Sequence, residues 1–441
     1  MTNRLIKEWV AICELRGDLP FLSNENDSWS YLELANALSS FQKDIDNIDP
    51  SICMIEGDYS LESIAWLIVG LCNGWQMVPV VSQNPSVIQS RQDISKALFT
   101  ASIKNDWRMH PIDVKEVRVN NNLDKSGVVL FSSGSTGTPK AMCKDVTPML
   151  QKLGDHNSKP ACMGLLLLFD HIGGLNTLFS GLRKSVHLVA PLNRSPRMMS
   201  RLIQNYSVRV LPCSPTFLNM MYLDGVFDEF NFKSLRLVTY GTERMPEELL
   251  KRLSKKLPRV KFLQTFGTSE TGIVQTKSLS SSSTFLTIDD PDVNWKIEDK
   301  ELWLRSSNQI SSYINTDEKA IDDGWFKTGD LVEIRDDGYF KIIGRKKEVI
   351  NVGGEKVLPS EIEDFIMSID EVVDCTAFSV PNGITGQAVG IRVIANNKSK
   401  EKDLKKYIRK ISKLKLESFK IPVKIIFDSK LNHTDRFKKE R

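Results

Sequence analysis

The chain has 441 residues, with Lys+Arg 59 against Asp+Glu 55 and a formal charge of only +4. That near balance excludes an acidic tail, a histone-like binder of nucleic acid and a polybasic membrane anchor. With 41% hydrophobic and 26% charged residues, global disorder and fibrous structure are excluded too, and the length allows about two or three domains.

The opening stretch, MTNRLIKEWVAICELRGD, alternates apolar and charged residues at helical spacing and lacks the apolar core and cleavage site of a secretion signal. A first helix is expected there. The most apolar stretches, Ile64 to Cys72 and Ala161 to Phe169, fall far below the roughly 20 residues of a membrane span, so they read as buried elements of a cytoplasmic protein. Cys13, Cys53, Cys72, Cys143, Cys162, Cys213 and Cys375 are scattered without a C-x-x-C pair, which argues against structural disulfides and a thiolate metal cage. The histidines, His110, His156, His171, His187 and His433, have no metal-cluster spacing.

Strand-like runs at Ser51 to Glu56, Met77 to Val81, Gly127 to Phe131, Val186 to Val189, Val208 to Leu211, Leu235 to Thr239 and Lys261 to Phe266 alternate with helical patterns such as Ser60 to Leu71, Ser195 to Asn205 and Glu247 to Leu257. That order predicts an α/β protein. Ser278 to Ser283 reads as a loop, and from Trp295 to Ile343 short strands and turns such as Asp322-Asp323-Gly324 and Asp336-Asp337-Gly338 predict a β-rich section. A charged segment, Arg345-Lys346-Lys347-Glu348, then leads into a small α+β pattern, in which Ser360 and Glu363 have the spacing of a capping box for a helix from Glu361 to Ser368. Strands at Val372 to Val380, Ala388 to Ile394 and Val423 to Phe427 and a helix at Glu401 to Leu414 complete it. The expected division is residues 1–344 and 345–441, with a hinge near Lys347.

Three motifs concentrate chemistry. The first, Val128-Val129-Leu130-Phe131-Ser132-Ser133-Gly134-Ser135-Thr136-Gly137-Thr138-Pro139-Lys140, is a strand emptying into a loop of glycines, hydroxyls and one lysine. Its glycines let the backbone wrap an anion while hydroxyls and amides donate to it, so phosphate cradling is the natural reading. The spacing matches neither the G-x-x-x-x-G-K-[ST] loop nor the G-x-G-x-x-G fingerprint. The second, Gln264-Thr265-Phe266-Gly267-Thr268-Ser269-Glu270-Thr271-Gly272, places a carboxylate among hydroxyls, a donor set suited to Mg2+. The third is Gly324-Trp325-Phe326-Lys327-Thr328-Gly329-Asp330, followed by Gly344-Arg345 and by Asn351-Val352-Gly353-Gly354-Glu355-Lys356.

In this order and at these separations the motifs resemble the adenylate-forming superfamily of acyl-CoA synthetases, firefly-luciferase-like enzymes and peptide-synthetase adenylation domains. Trp29-Ser30-Tyr31-Leu32-Glu33-Leu34 and Pro79 extend the likeness to most of the chain. The resemblance implies a large N-terminal domain of packed α/β sheets with a β-rich subdomain, and a mobile α+β lid, in a compact stand-alone member of bacterial type. It also implies ATP and Mg2+ as cofactors. The loop Ser132 to Lys140 (Ser132, Ser133, Gly134, Ser135, Thr136, Gly137, Thr138, Lys140) would hold the ATP phosphates. Gly241-Thr242-Glu243 would flank one face of adenine, with Phe266 near the other, Gly267 and Thr268 would also bind the nucleotide, and Ser269 would contact phosphate or the substrate carboxylate. Glu270 would be the Mg2+ ligand, Asp330 and Arg345 would serve the ribose, and Gly353-Gly354 would line the path of a pantetheine thiol.

Lys438 would be the lid lysine of the adenylation step, with Thr136, Glu270 and His171 as further catalytic residues. The family surroundings P-x-T-x-x-G-K-x-x-x-R appear here as Asn432-His433-Thr434-Asp435-Arg436-Phe437-Lys438-Lys439-Glu440-Arg441. Proline and glycine are replaced by Asn432 and Phe437, so Lys439 and Arg436 remain as substitutes.

The implied reaction joins an aryl or fatty non-amino carboxylic acid, through its adenylate, to coenzyme A or to the phosphopantetheine of a separate acyl carrier protein. In Leu166-Leu167-Leu168-Phe169-Asp170-His171-Ile172-Gly173-Gly174-Leu175, His171 aligns with a family histidine, and Ile172 falls where amino-acid-activating members carry an aspartate. A one-residue shift would align Asp170 instead, so a stand-alone amino-acid adenylation enzyme is the alternative. A soluble monomer or homodimer is expected, without a membrane span or a nucleic-acid partner. Superfamily members usually run longer, and the interval from Glu270 to Asp330 reads as trimmed: Trp295 to Arg305 passes through without glycine, and Ser311-Ser312-Tyr313 stands where a G-Y pair is expected.

Overall fold

A computed structural model describes residues 2–112, 126–132, 139–151, 161–396, 401–429, 433–434 and 436–440. Among the described residues the large domain contains a six-stranded and a seven-stranded sheet, both mostly parallel. The first runs in the order His110–Pro111, Phe99–Ser102, Ile52–Glu56, Gln76–Val80, Gly127–Ser132, Lys140–Lys144. The second runs Lys261–Gln264, Leu237–Tyr240, Val210–Cys213, Cys162–Gly164, His187–Val189, Pro20–Ser23, Ser28–Ser30. The helix Leu61–Cys72 is buried along nearly its whole length, which accounts for its unbroken apolar run, and it starts on a capping box made by Ser60 and Ser63. Among the described residues no helix is long and apolar enough to cross a membrane.

The strand expected over Lys261 to Phe266 is interrupted. Thr265 leaves the sheet with its amide bonded to Tyr240 O at 2.8 Å, and Phe266–Thr268 turns into an antiparallel hairpin with Gly272–Val274. Gly267 makes that hairpin possible, because a Cβ there would lie 2.5 Å from Gly272 O.

The β-rich section forms its own sheet, Thr276–Ser278, Leu286–Ile288, Phe340–Arg345, Trp325–Ile334, Glu301–Ser306, Val293–Glu298. The stretch from Trp295 to Arg305 does not pass straight through as expected: it reverses in a two-residue turn at Asp299 and Lys300, whose φ values of 50° and 64° are those of a tight hairpin turn. Aspartate and lysine there do the work of the missing glycine.

The chain leaves this sheet at Arg345, makes one turn over Lys346–Glu348 and enters the C-terminal sheet at Ile350. There Val372–Asn382 and Gly386–Ala395 form a long hairpin, flanked by Ile350–Val352 and Lys424–Phe427 and packed on the helices Pro359–Met367 and Glu401–Lys415. The architecture is thus a large mixed α/β domain with a small α+β lid.

The capping box expected from Ser360 and Glu363 is not formed. The helix begins two residues earlier, at Pro359, with Leu358 as N-cap and no side-chain cap. Both polar residues are buried and look inward: Ser360 Oγ donates to Ile343 O, and Glu363 Oε1 accepts the Ala377 amide at 3.0 Å. Proline at the first helical position needs no partner for an N–H, so the two side chains are released for tertiary bonds.

Candidate active site

The ends of several elements converge on a cavity of about 990 Å³. Ser132 and Lys140 reach it from the first sheet, Gly241 and Thr242 from the strand end after Tyr240, and Phe266, Gly267, Thr268, Ser269 and Glu270 from the hairpin. His171 reaches it from the helix Ile172–Arg183, and Arg345 and Lys347 from the start of the lid. Lys438 and Arg436, near the other end of the chain, also line it. A smaller recess of about 140 Å³ adjoins it and is bordered by Glu243, Asp330, Arg345 and Lys438. Ser133, Gly134, Ser135, Thr136, Gly137 and Thr138 lie outside the described residues.

The placement of Glu270 is determined mainly by its backbone. Its carbonyl accepts from the Ile310 amide at 2.9 Å and from Lys144 Nζ at 3.3 Å, and Thr268 Oγ1 receives the Thr271 amide at 3.0 Å. One carboxylate oxygen accepts the Tyr313 hydroxyl at 3.2 Å. Lys140 pairs with Glu318 at 2.5 Å and stands over the Tyr313 ring at 5.1 Å. Lys144 has no counterpart in the motif reading. It is 1% exposed, it also donates to Asn308 O, and burial pushes its ammonium down to about 8. Its strand, Lys140–Lys144, carries a lysine at each end, and the sequence does not show that the second of them is the buried one.

Asp330 and Arg345 are direct cross-strand partners, so their meeting follows from sheet register. Arg345 Nε donates to Asp330 Oδ1 at 3.0 Å. Burial raises the Asp330 carboxyl above the usual range, and Arg345 offsets part of that rise. Thr242 holds φ at +72°, a strained value for a β-branched residue, and its buried Oγ1 has no hydrogen-bond partner. Unsatisfied oxygen and stored strain at a cavity wall fit a site completed by a polar ligand.

His171 caps the helix Ile172–Arg183, its Nδ1 accepting the Gly173 amide at 3.1 Å. Burial, with help from Arg436 and Lys438, lowers the imidazole to about 3, so it is neutral and carries its proton on Nε2. Asp170 does not line the cavity. Its Oδ2 is 3.9 Å from Arg436, and burial raises its carboxyl.

The tail residues separate by direction. Lys439 Nζ turns away to Asp374 Oδ1 at 3.0 Å and Cys375 O at 2.7 Å. Arg436 donates to Phe131 O at 3.2 Å, at the strand end that precedes the glycine-rich loop. Lys438 alone of the three lines both the cavity and the recess, and burial, with Arg345 and Arg436, pushes its ammonium down to about 8. Thr434 shapes the turn: its amide donates to Lys438 O at 2.9 Å and its Oγ1 accepts the Lys438 amide at 3.2 Å. Phe437 has φ +51°, the left-handed value for which glycine is suited. Its ring packs on Phe217 at 5.1 Å in the large domain's core, and Ser214 Oγ donates to its carbonyl at 2.7 Å.

Glu243 borders the recess and also tethers the tail. Its carboxylate accepts the Thr216 amide at 2.7 Å and the Lys439 amide at 3.0 Å, holding the tail against the helix Pro215–Leu223. Gly353 and Gly354 form the exposed turn of a hairpin and do not line the cavity.

The AMP-binding enzyme family model matches residues 71–302, more than half of the chain, and the AMP-binding enzyme C-terminal domain matches residues 361–438. The chain belongs to the AMP-binding, adenylate-forming family. Similar curated proteins include 4-coumarate-CoA ligase 1 of Narcissus pseudonarcissus, 27% identical over 66% of this chain. A probable 4-coumarate-CoA ligase 2 of Dictyostelium discoideum is 30% identical over 69% of it. The chain spans 60% of the length of each of these relatives. Among solved structures, o-succinylbenzoate CoA synthetase from Bacillus subtilis with its acyl-adenylate has TM-score 0.75 at 19% identity, covering 98% of this chain and 96% of that one. An anthranilate CoA ligase with anthranoyl-AMP has TM-score 0.77 at 16% identity, covering 98% and 95%. These structures share the fold.

Proposed function

We propose that this AMP-binding family member activates a carboxylic acid with ATP, forming an acyl-adenylate and pyrophosphate, and then transfers the acyl group to a pantetheine thiol of coenzyme A or of a separate carrier protein. The observation that carries this reading is the opening of Lys438, from the far end of the chain, onto the cavity lined by Phe266 and Glu270. A carboxylate oxygen attacks the α phosphorus, the bond to the pyrophosphate oxygen breaks, and the negative charge on the transferring group peaks between them. Lys438 and Arg345 supply positive charge from the cavity wall to the charge that develops there. His171 Nε2 offers a neutral donor to the reacting carboxylate without bringing a second charge. Asp330 is assigned to the ribose and Phe266 to the base.

Glu270 suits Mg2+. Among the described residues no group of three or more His, Cys, Asp or Glu gathers for a metal, so one carboxylate with Tyr313 beside it fits an ion that keeps water and phosphate as its other ligands. When bound there, Mg2+ supplies charge neutralisation on the phosphates.

A non-amino acid is favoured because Ile172 lines the cavity while Asp170 is turned toward Arg436, leaving no aspartate to hold an ammonium beside His171. For the second half-reaction the lid rotates near Lys347 and brings the Gly353-Gly354 turn to the cavity that Lys438 now lines. ATP–pyrophosphate exchange across aryl, fatty and amino acids, followed by coenzyme A and holo-carrier acceptors, tests the reading. Exchange only with amino acids would overturn the choice of acid, and exchange with none would overturn the reaction.

A further inference from the structure

The lid carries the chain's excess charge in one element. The helix Glu401–Lys415 holds seven Lys or Arg against two Asp or Glu, a surplus of five, where the surplus of the whole chain is four. Leu404 and Ile408 turn into the lid core, with Ile411 partly buried beside them. On the opposite side Lys402, Lys406, Arg409, Lys410 and Lys413 share about 100° of arc over about 17 Å of axis, and all five are exposed. None of the five pairs with a carboxylate among the described residues. Lys402 and Lys406, Lys406 and Lys410, and Arg409 and Lys413 stand four residues apart, where like charges repel and weaken a helix. In the first helix the same spacing joins opposite charges, Arg4 and Glu8. A cationic stripe that costs its own helix stability fits a surface kept for an anionic partner.

Position selects the partner. The helix runs on through Leu416 into the turn Ser418–Lys420, which packs against Glu355–Val357, the strand that leaves the Gly353-Gly354 turn. An acceptor whose pantetheine arm passes that turn brings its body within reach of the helix. The nucleotide of coenzyme A is small enough to meet only part of the stripe, whereas a folded domain meets all of it. A bilayer is disfavoured because the apolar side of the helix is spent in the lid core, leaving only Tyr407 and Leu414 exposed on one flank. Given the acid-activating reading above, on which this rests, we propose that the acceptor is a separate carrier protein with an acidic surface beside its phosphopantetheine, and that the helix Glu401–Lys415 is its docking face. The five cations steer and orient the carrier, and Tyr407 and Leu414 offer it an apolar edge. In the transfer the pantetheine sulfur bonds to the acyl carbon, its proton passes to water, and AMP leaves with the electron pair of the broken C–O bond.

The test is acyl transfer by the full-length protein, with an acid accepted in ATP–pyrophosphate exchange, to coenzyme A and to a panel of acidic holo-carrier proteins. K406E with K413E turns each of the three repelling pairs into an attracting one, so this variant is expected to melt no lower than the wild type. It is expected to lower kcat/KM for the carriers by about tenfold or more at low salt, through KM, and to leave exchange and transfer to coenzyme A unchanged. Raising the salt should close most of that gap. Exchange with no acid overturns the acid-activating reading itself. Transfer to coenzyme A alone, or transfer to carriers that K406E with K413E leaves unchanged, preserves that reading and overturns this inference. Binding of duplex RNA or of phosphatidylserine vesicles that the two substitutions abolish, with carrier transfer intact, overturns it too.

Discussion

Lys439 Nζ lies 3.0 Å from Asp374 Oδ1, and the same oxygen accepts Asn219 Nδ2 of the large domain at 3.1 Å. Burial alone pulls the Lys439 ammonium down, but Asp374 and Glu363 outweigh it and leave it raised, so the ion pair is held charged in the interior. One carboxylate thus joins the lid sheet, the C-terminal tail and the large domain. Asp374→Ala strands a buried ammonium and is expected to cost about 3–5 kcal/mol of lid and tail docking. Thermal unfolding and limited proteolysis of the tail read this directly; a variant as protected as the wild type shows that the pair does not hold the tail.

Phe437 combines an unfavourable backbone with favourable packing. Phe437→Gly relieves a left-handed strain of about 1–2 kcal/mol but loses the ring's contact with Phe217, whereas Phe437→Ala loses the contact and keeps the strain. Exchange activity should rank wild type above glycine above alanine, because Lys438 is the next residue. Higher activity in the glycine variant than in the wild type would mean that the aromatic anchor contributes nothing to placing Lys438.

Lys438→Ala separates the half-reactions. Adenylate formation should fall about 10²–10³-fold, as for loss of one donor at a developing charge, while thioester formation from supplied adenylate is retained. Equal loss in both steps contradicts the assigned role.

The pH response follows from the Lys438 ammonium being held down to about 8. The group is charged below that pH and neutral above it, so kcat/KM for exchange is expected to fall as pH rises through about 8. For stability the sign is opposite. The folded state binds fewer protons than the unfolded one between about 8 and the usual lysine value of 10.5, so this group's contribution to stability improves with rising pH across that window. His171, lowered to about 3, contributes no inflection to the rate between pH 5 and 8. A kcat/KM that keeps rising to pH 10 contradicts a role for charged Lys438.

Lys144→Met removes a buried charge along with the side-chain donor to Glu270 O and Asn308 O. Relief of desolvation offsets part of the lost bonding, so the melting temperature should change little while the Mg2+ concentration for half-maximal exchange rises several-fold. An unchanged Mg2+ dependence would show that Lys144 does not position Glu270.

The chain by itself determined the alternation of strands and helices, the β-rich insertion, and the glycine-hydroxyl and acidic motifs, because periodicity, turn chemistry and motif spacing are local properties. It also carried the marker for the tail turn, since Phe437 stands where the pattern calls for glycine. Local reading misjudged Ser360 and Glu363, whose spacing is that of a cap but whose partners are Ile343 O and Ala377 N. It gave no basis for seeing Glu243 hold the Lys439 amide or Lys144 support Glu270, because those bonds span 196 and 126 residues. The motif register singled out Lys438 with Arg436 and Lys439 as substitutes, but it could not say where the three side chains go. Packing decides that, because it depends on partners distant in the chain: Phe437 is seated in the core, Asp374 captures Lys439, Arg436 lines the cavity, and Lys438 lines both the cavity and the recess.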